Sequence, residues 1–218
     1  ISMDYENATV TDINGETRQF VPAEYSIKND LYSQNQIDFI DKYLNNLFKI
    51  VYEACENGKY YKFDENYDLV DSDVTTAEEA VSNVMDIDSV RDMYILYEIV
   101  HDYDCGEGSF YMCVDLSKDS KCPKLKFTSP WDFNWAYNDS TEKYYAGAFT
   151  DKNFVAKKGD RSNPWFIVLC KQDWFMATAK EKWTEMSQEK LLQGCIKTER
   201  EYLKEYDADL RKGEEWGP

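Results

Sequence analysis

"IDSVRDMYILYEIVHDYDCGEGSFYMCVDLSKDSKCPKLKFTSPWDFNWAYND", Ile87–Asp139, changes pattern three times within one run. Val90, Met93, Tyr94, Tyr97 and Val100 recur at spacings of three and four, which predicts a helix with those side chains inward and Asp88 or Ser89 as its N-cap. "HDYDCGEG" (101–108) ends it with two glycines and two aspartates, leaving His101, the single histidine, as a capping charge at the helix C-terminus. "SFYMCVDL" (109–116) and "KLKFTSPWDF" (124–133) are strand-like and flank the turn-forming "SKDSKCP" (117–123), so a β-hairpin is expected. Cys113 and Cys122 lie on opposite sides of that turn and could be cross-strand disulfide partners.

Upstream, residues 8–28 read as a hairpin turned at Asn14-Gly15. Residues 33–58 read as a strong helix, with Ile37, Ile40, Leu44, Leu47, Phe48, Val51 and Cys55 on one stripe and Gly58 as its stop. Residues 59–86 are polar and acidic and read as a long excursion with one short helix. Downstream of a long irregular stretch, Asn163-Pro164 opens a helix with Pro at the favoured first position. Two more helices follow. Trp174, Ala179, Trp183 and Met186 mark the inward stripe of one; Leu192, Cys195, Ile196, Tyr202, Leu203 and Leu210 mark that of the other. Cys170 and Cys195 fall on different helices and could staple them. The fold class is therefore α+β, mostly helical, with small antiparallel hairpins, and 218 residues suit a single domain.

Composition narrows the function. A formal net charge of -17 repels nucleic acid phosphates and anionic lipid, and no apolar run approaches the 18 or so residues of a membrane span. Six cysteines without a CxxC pair, beside one histidine, argue against zinc and suit a secreted, disulfide-bonded protein. The sequons Asn7-Ala-Thr9 and Asn138-Asp-Ser140 agree with an extracellular or cell-surface location.

The chemistry concentrates at the two ends of the 109–133 hairpin. Asp102, Asp104 and Glu107 precede it; Asp132, flanked by Trp131 and Phe133, and Asn134 follow it. A hairpin returns its ends to one edge, so the clusters can meet, and oxygen donors of this kind suit Mg²⁺, Mn²⁺ or Ca²⁺. An EF-hand is excluded, because Glu107 stands where the turn glycine belongs and Cys113 where the bidentate Glu belongs. Glu107 reads as solvated loop charge. A buried Asp132 would instead have to be satisfied by backbone N–H groups, a purely structural role.

Several short motifs in order resemble the CotH family of spore-coat-type kinases. Glu98-Ile99 ends the helix, Asp102-Tyr103-Asp104 stands for the loop, Ser109-Phe110-Tyr111 opens the hairpin, and Pro130-Trp131-Asp132-Phe133-Asn134 closes it. "PWFIVLCKQDWFMATAKEKWTEM" (164–186) and "IKNDLYSQNQIDFIDKYLNNLF" (27–48) are similar to the family's flanking segments, and the resemblance spans most of residues 10–215. It implies a kinase-C-lobe-like helical domain. Asp104 would be the catalytic-loop carboxylate, Ser109 a cofactor-binding position, and Asp132, Asn134 and Asp102 metal ligands. Asp102 replaces the family's Asn and Asn134 its second Asp, which moves one negative charge across the site.

The family's nucleotide-gripping segment has no counterpart in this sequence, where Lys28 is the sole basic residue of its neighbourhood. The chain is therefore expected to be the C-terminal portion of the domain, with ATP bound only alongside an upstream lobe. The leading expectation is a non-catalytic or incomplete kinase-fold module, a pseudokinase with an acidic divalent-metal pocket, in a secreted, cell-surface or cellulosome-type assembly. The alternatives are an active kinase phosphorylating Ser or Thr of secreted proteins and a carbohydrate-binding module stacking polysaccharide on aromatic faces.

Overall fold

The computed structural model describes residues 1–3, 9–11, 17–19, 23–100, 108–135 and 163–207. They divide into two compact units, Ile1–Ala179 and Lys180–Pro218. The first opens with two antiparallel ribbons, β1 (Ser2–Met3) with β4 (Ala23–Glu24) and β2 (Thr9–Thr11) with β3 (Thr17–Gln19). The register Thr11↔Thr17 differs by one residue from the Thr11↔Arg18 pairing that a two-residue turn at Asn14-Gly15 requires, and residues 12–16 themselves lie outside the described set.

The long helix, α1 (Gln34–Tyr52), forms where its apolar spacing puts it, with Leu44, Leu47, Phe48, Ile50 and Val51 buried. Its last turn widens into a π-helical segment, Glu53–Asn57, before Gly58 closes it at φ +61, a backbone that glycine adopts without strain. Residues 59–86 carry more order than their polarity suggests. β5 (Tyr61–Phe63) pairs with β6 (Leu69–Asp71), and α2 (Ala77–Val84) follows, capped by Thr76, whose hydroxyl accepts from Glu79 N. That ribbon is pinned to α1 by a cluster of rings. Tyr43 stacks on Phe63 at 5.3 Å, and Phe39 meets Tyr67 edge-on at 5.5 Å.

The next helix, α3 (Ile87–Val100), buries Val90, Met93, Tyr94 and Tyr97 as expected and Ile95 besides, with Val100 half-buried. Its cap is Asp86, not Asp88 or Ser89 as expected: Asp86 Oδ1 accepts from Ser89 N at 3.1 Å and its carbonyl from Val90 N. The hairpin follows as β7 (Tyr111–Cys113) and β8 (Lys126–Thr128). α4 (Pro164–Leu169) is buried at all six positions. It starts at Asn163, whose Oδ1 accepts from Trp165 N and Phe166 N, a cap worth about 1 kcal/mol. α4 lies against α1, with the Phe48 and Trp165 rings edge-on at 5.0 Å.

Two expectations about cysteine need correction. Cys113 faces Lys126, not Cys122, because β8 begins only after the connection through residues 114–125. The five described cysteines, Cys55, Cys113, Cys122, Cys170 and Cys195, are free thiols, so neither Cys113–Cys122 nor Cys170–Cys195 is bridged. Burial, with Glu56 adding to it, pushes the Cys55 thiol from its ordinary 9.0 to about 12, and burial drives Cys170 well up. Only the thiolate is nucleophilic. Iodoacetamide at pH 8 should therefore alkylate exposed Cys113 and Cys195 and spare Cys55 and Cys170 until urea unfolds the chain, as read by peptide mass spectrometry. Equal native rates at Cys55 and Cys113 would contradict this enclosure. Because folding raises the Cys55 pKa, its contribution to stability is whole below pH 9 and lost as pH climbs towards 12.

The last helices differ from expectation too. α5 (Asp173–Gln188) buries Phe175 and Ala179 but leaves Trp183 exposed. α6 (Leu191–Glu205) buries nothing: Cys195, Ile196, Tyr202 and Leu203 are all exposed and Leu192 is half-buried, while Leu210 lies outside the described residues. A unit as short as Lys180–Pro218 has too little interior to cover an apolar stripe.

Candidate functional site

The β7–β8 ribbon is clamped onto α3 at two places. At the start of α3, Phe127 N donates to Ser89 Oγ at 3.3 Å, and Leu125 sits between Val84 and Asp86, donating to Val84 O and accepting from Asp86 N, each at 2.9 Å. Lys126 Nζ lies 3.8 Å from Asp86 Oδ2. Towards the other end of α3, Tyr97 is wholly buried and its hydroxyl donates to Ser109 O at 3.3 Å. Its ring lies 6.2 Å from Phe110 and 6.1 Å from Phe133, one residue from each end of the ribbon's open side. Ser89 and Tyr97 are eight residues apart, about 12 Å of helix, so ribbon and helix are fixed as one body.

That open side carries unusual backbone. Ser109, Ser129 and Asp132 adopt left-handed φ values of 44°, 53° and 59°. Such a conformation costs roughly 1–2 kcal/mol per residue, less where an aspartate bonds locally, and persists only where the surroundings enforce it. Asp132 is exposed and sits immediately before a single 3-10 turn, Phe133–Trp135, on which Asn134 is also exposed. Trp131 beside it is 61% exposed. Asp132 is therefore not a buried carboxylate held by backbone donors: its tryptophan neighbour turns outward with it and no desolvation cost arises.

Of the expected site residues, the structure brings Ser109, Asp132 and Asn134 to one end of the ribbon; Asp102, Asp104, His101, Cys105 and Glu107 lie outside the described residues. Among the described residues no three His, Cys, Asp or Glu side chains converge on a metal position, and no helix is long and apolar enough to cross a membrane. Asp132 and Asn134 supply oxygen donors, the chemistry a hard divalent cation takes. Sequence reasoning placed Tyr97 in the core only. Nothing in a helical stripe marks a tyrosine whose hydroxyl reaches a loop carbonyl.

A family model described as CotH kinase protein matches residues 25–212. The chain belongs to the CotH kinase family. Comparison with curated proteins and with solved structures gives no match. Membership brings a kinase-like fold, to which the mostly helical architecture with small two-stranded antiparallel sheets conforms. In this CotH chain the match runs through α1, the β5–β6 ribbon, α3, the β7–β8 ribbon, α4 and α5, so every element that positions Asp132 lies inside it.

Proposed function

We propose that this CotH chain is a kinase-fold module holding a divalent cation, Mg²⁺ first, at the open end of the β7–β8 ribbon. Asp132 and Asn134 would contribute from the exit strand, and Asp102 and Asp104 from the loop ahead of Ser109. The observation that carries the reading is the exposed carboxylate of Asp132 held in a left-handed backbone, a strained conformation that no burial of the side chain explains. Bound there, a cation would neutralise charge on phosphate oxygens. Asp104 would then be placed to accept the proton of a Ser or Thr hydroxyl on a secreted or cell-surface protein. With Asn134 in place of a carboxylate the site carries less charge than a two-aspartate site, and cation holding is the primary activity proposed.

The test is calorimetric titration of the full chain with Mg²⁺, alone and with ATP, against Asp132→Ala and Asp132→Gly. Wild type should bind, and both variants should lose at least tenfold in affinity, on the order of 1.4 kcal/mol. Asp132→Gly should in addition stabilise the fold by about 1 kcal/mol, since glycine accepts the φ of 59° freely. No cation heat that depends on Asp132 sinks the proposal. ATP heat appearing only with Mg²⁺ present would extend it to nucleotide.

A further inference from the structure

The two ends of the β7–β8 ribbon converge on one side chain. Tyr97 donates its hydroxyl proton to the carbonyl of Ser109, at the entrance, and presents its ring to Phe133, the residue after Asp132, at the exit. Phe110 lies against the same ring, and beyond it Phe127 of β8 meets Phe110 edge-on at 4.7 Å. The Ser89–Phe127 hydrogen bond fixes the ribbon lower on α3, so the second clamp decides how the open end sits. At this clamp both Ser109 and Asp132 are left-handed, and neither is a glycine that would adopt that backbone unaided.

We infer that Tyr97 is a positioning residue: through one hydroxyl and one ring it sets the backbone of Ser109 and the placement of Asp132 together. This rests on the cation reading given above for its functional meaning, but the mechanical coupling stands on the contacts themselves. A buried phenol is well suited to the task. The ring gives a rigid surface against which two aromatic neighbours register, and the hydroxyl satisfies a carbonyl that a left-handed residue turns away from the strand ladder. Phenylalanine at position 97 would retain the packing and release the carbonyl of Ser109.

The experiment uses the full chain and two readouts: Mn²⁺ affinity, from loss of the free-ion electron paramagnetic resonance signal, and the backbone amide shifts of Ser109 and Asp132. Tyr97→Phe should weaken Mn²⁺ binding about three- to tenfold, the size of one hydrogen bond's influence. It should displace both amides, although the lost bond touches only Ser109. Tyr52→Phe is the control: it removes another largely buried phenol hydroxyl, bonded to Thr9 O at 2.5 Å, and should leave Mn²⁺ affinity unchanged. Unaltered Mn²⁺ affinity in Tyr97→Phe, or an equal loss in Tyr52→Phe, overturns the positioning role. Should wild type bind no Mn²⁺, the cation reading falls on its own. The amides then decide the coupling: displacement at both supports it, and displacement at Ser109 alone refutes it.

Discussion

Trp165→Ala is expected to lower the stability of the first unit by about 3–5 kcal/mol, the range for removing a fully buried large aromatic. Three parts of the unit meet on this side chain. Its ring is edge-on to Phe48 of α1 at 5.0 Å and lies 6.0 Å from Phe127 of β8, and its Nε1–H donates to Tyr25 Oη at 3.0 Å beside the N-terminal ribbons. Burial pushes the Tyr25 phenol well up, and the indole bond is the one interaction opposing that shift. Alanine would therefore open a cavity between helix and ribbon and take from the half-buried Tyr25 the donor its hydroxyl accepts from, two costs that add. Urea denaturation followed by circular dichroism should show the midpoint falling on the order of 2 M. Trp165→Phe, which refills most of the space but cannot donate, should fall by about 1–3 kcal/mol. A cost below 1 kcal/mol for the alanine variant would mean that α1, α4 and β8 do not share a core.

The same residues show what could be read from sequence alone. α1 and α4 were legible because each writes its contacts locally: a stripe at three and four in α1, and Asn163-Pro164 ahead of an apolar run in α4. The β5–β6 ribbon was not, since what makes Tyr61–Phe63 and Leu69–Asp71 a ribbon is the packing of Phe63 and Tyr67 on Phe39 and Tyr43, a contact with α1. Strand propensity of this kind depends on tertiary neighbours. The Cys113–Cys122 pairing failed for a related reason. The bridge from Leu125 to Met85 fixes where β8 begins, and sequence gave no sign of that bridge. The stripe of α6 shows that amphipathic spacing identifies a helix without naming what covers it. At the candidate site the motif order located the ribbon and the family. The exposure of Asp132 depends on a backbone turn that aromatic flanks did not reveal.

Lys171→Met should cost about 3 kcal/mol, out of proportion to a lysine near the surface. Its ammonium lies against Glu56 Oε1, an oxygen that is buried and, among the described residues, meets no other donor. The side chains of Lys171 and Glu56 are only 21% and 14% exposed, so the pair is not a solvated surface bridge worth a few tenths of a kcal/mol. Glu56 also stands in the closing π-helical turn of α1, at the negative end of that helix's dipole, where a carboxylate needs a cation. Lys171 follows α4 directly, and Gln172 Nε2 adds a bond to Cys55 O at 3.2 Å, so the pair ties the end of α1 to the end of α4. Removing the lysine leaves a largely desolvated charge, which is why the single variant should cost more than the pair contributes. Glu56→Leu combined with Lys171→Met should recover most of the loss, giving a double-mutant coupling of about 2 kcal/mol that changes little between 0.1 and 1 M salt. Additive losses, or a coupling that vanishes in salt, would place the two charges in water and leave the joint between α1 and α4 to the Phe48–Trp165 contact and the Gln172–Cys55 bond.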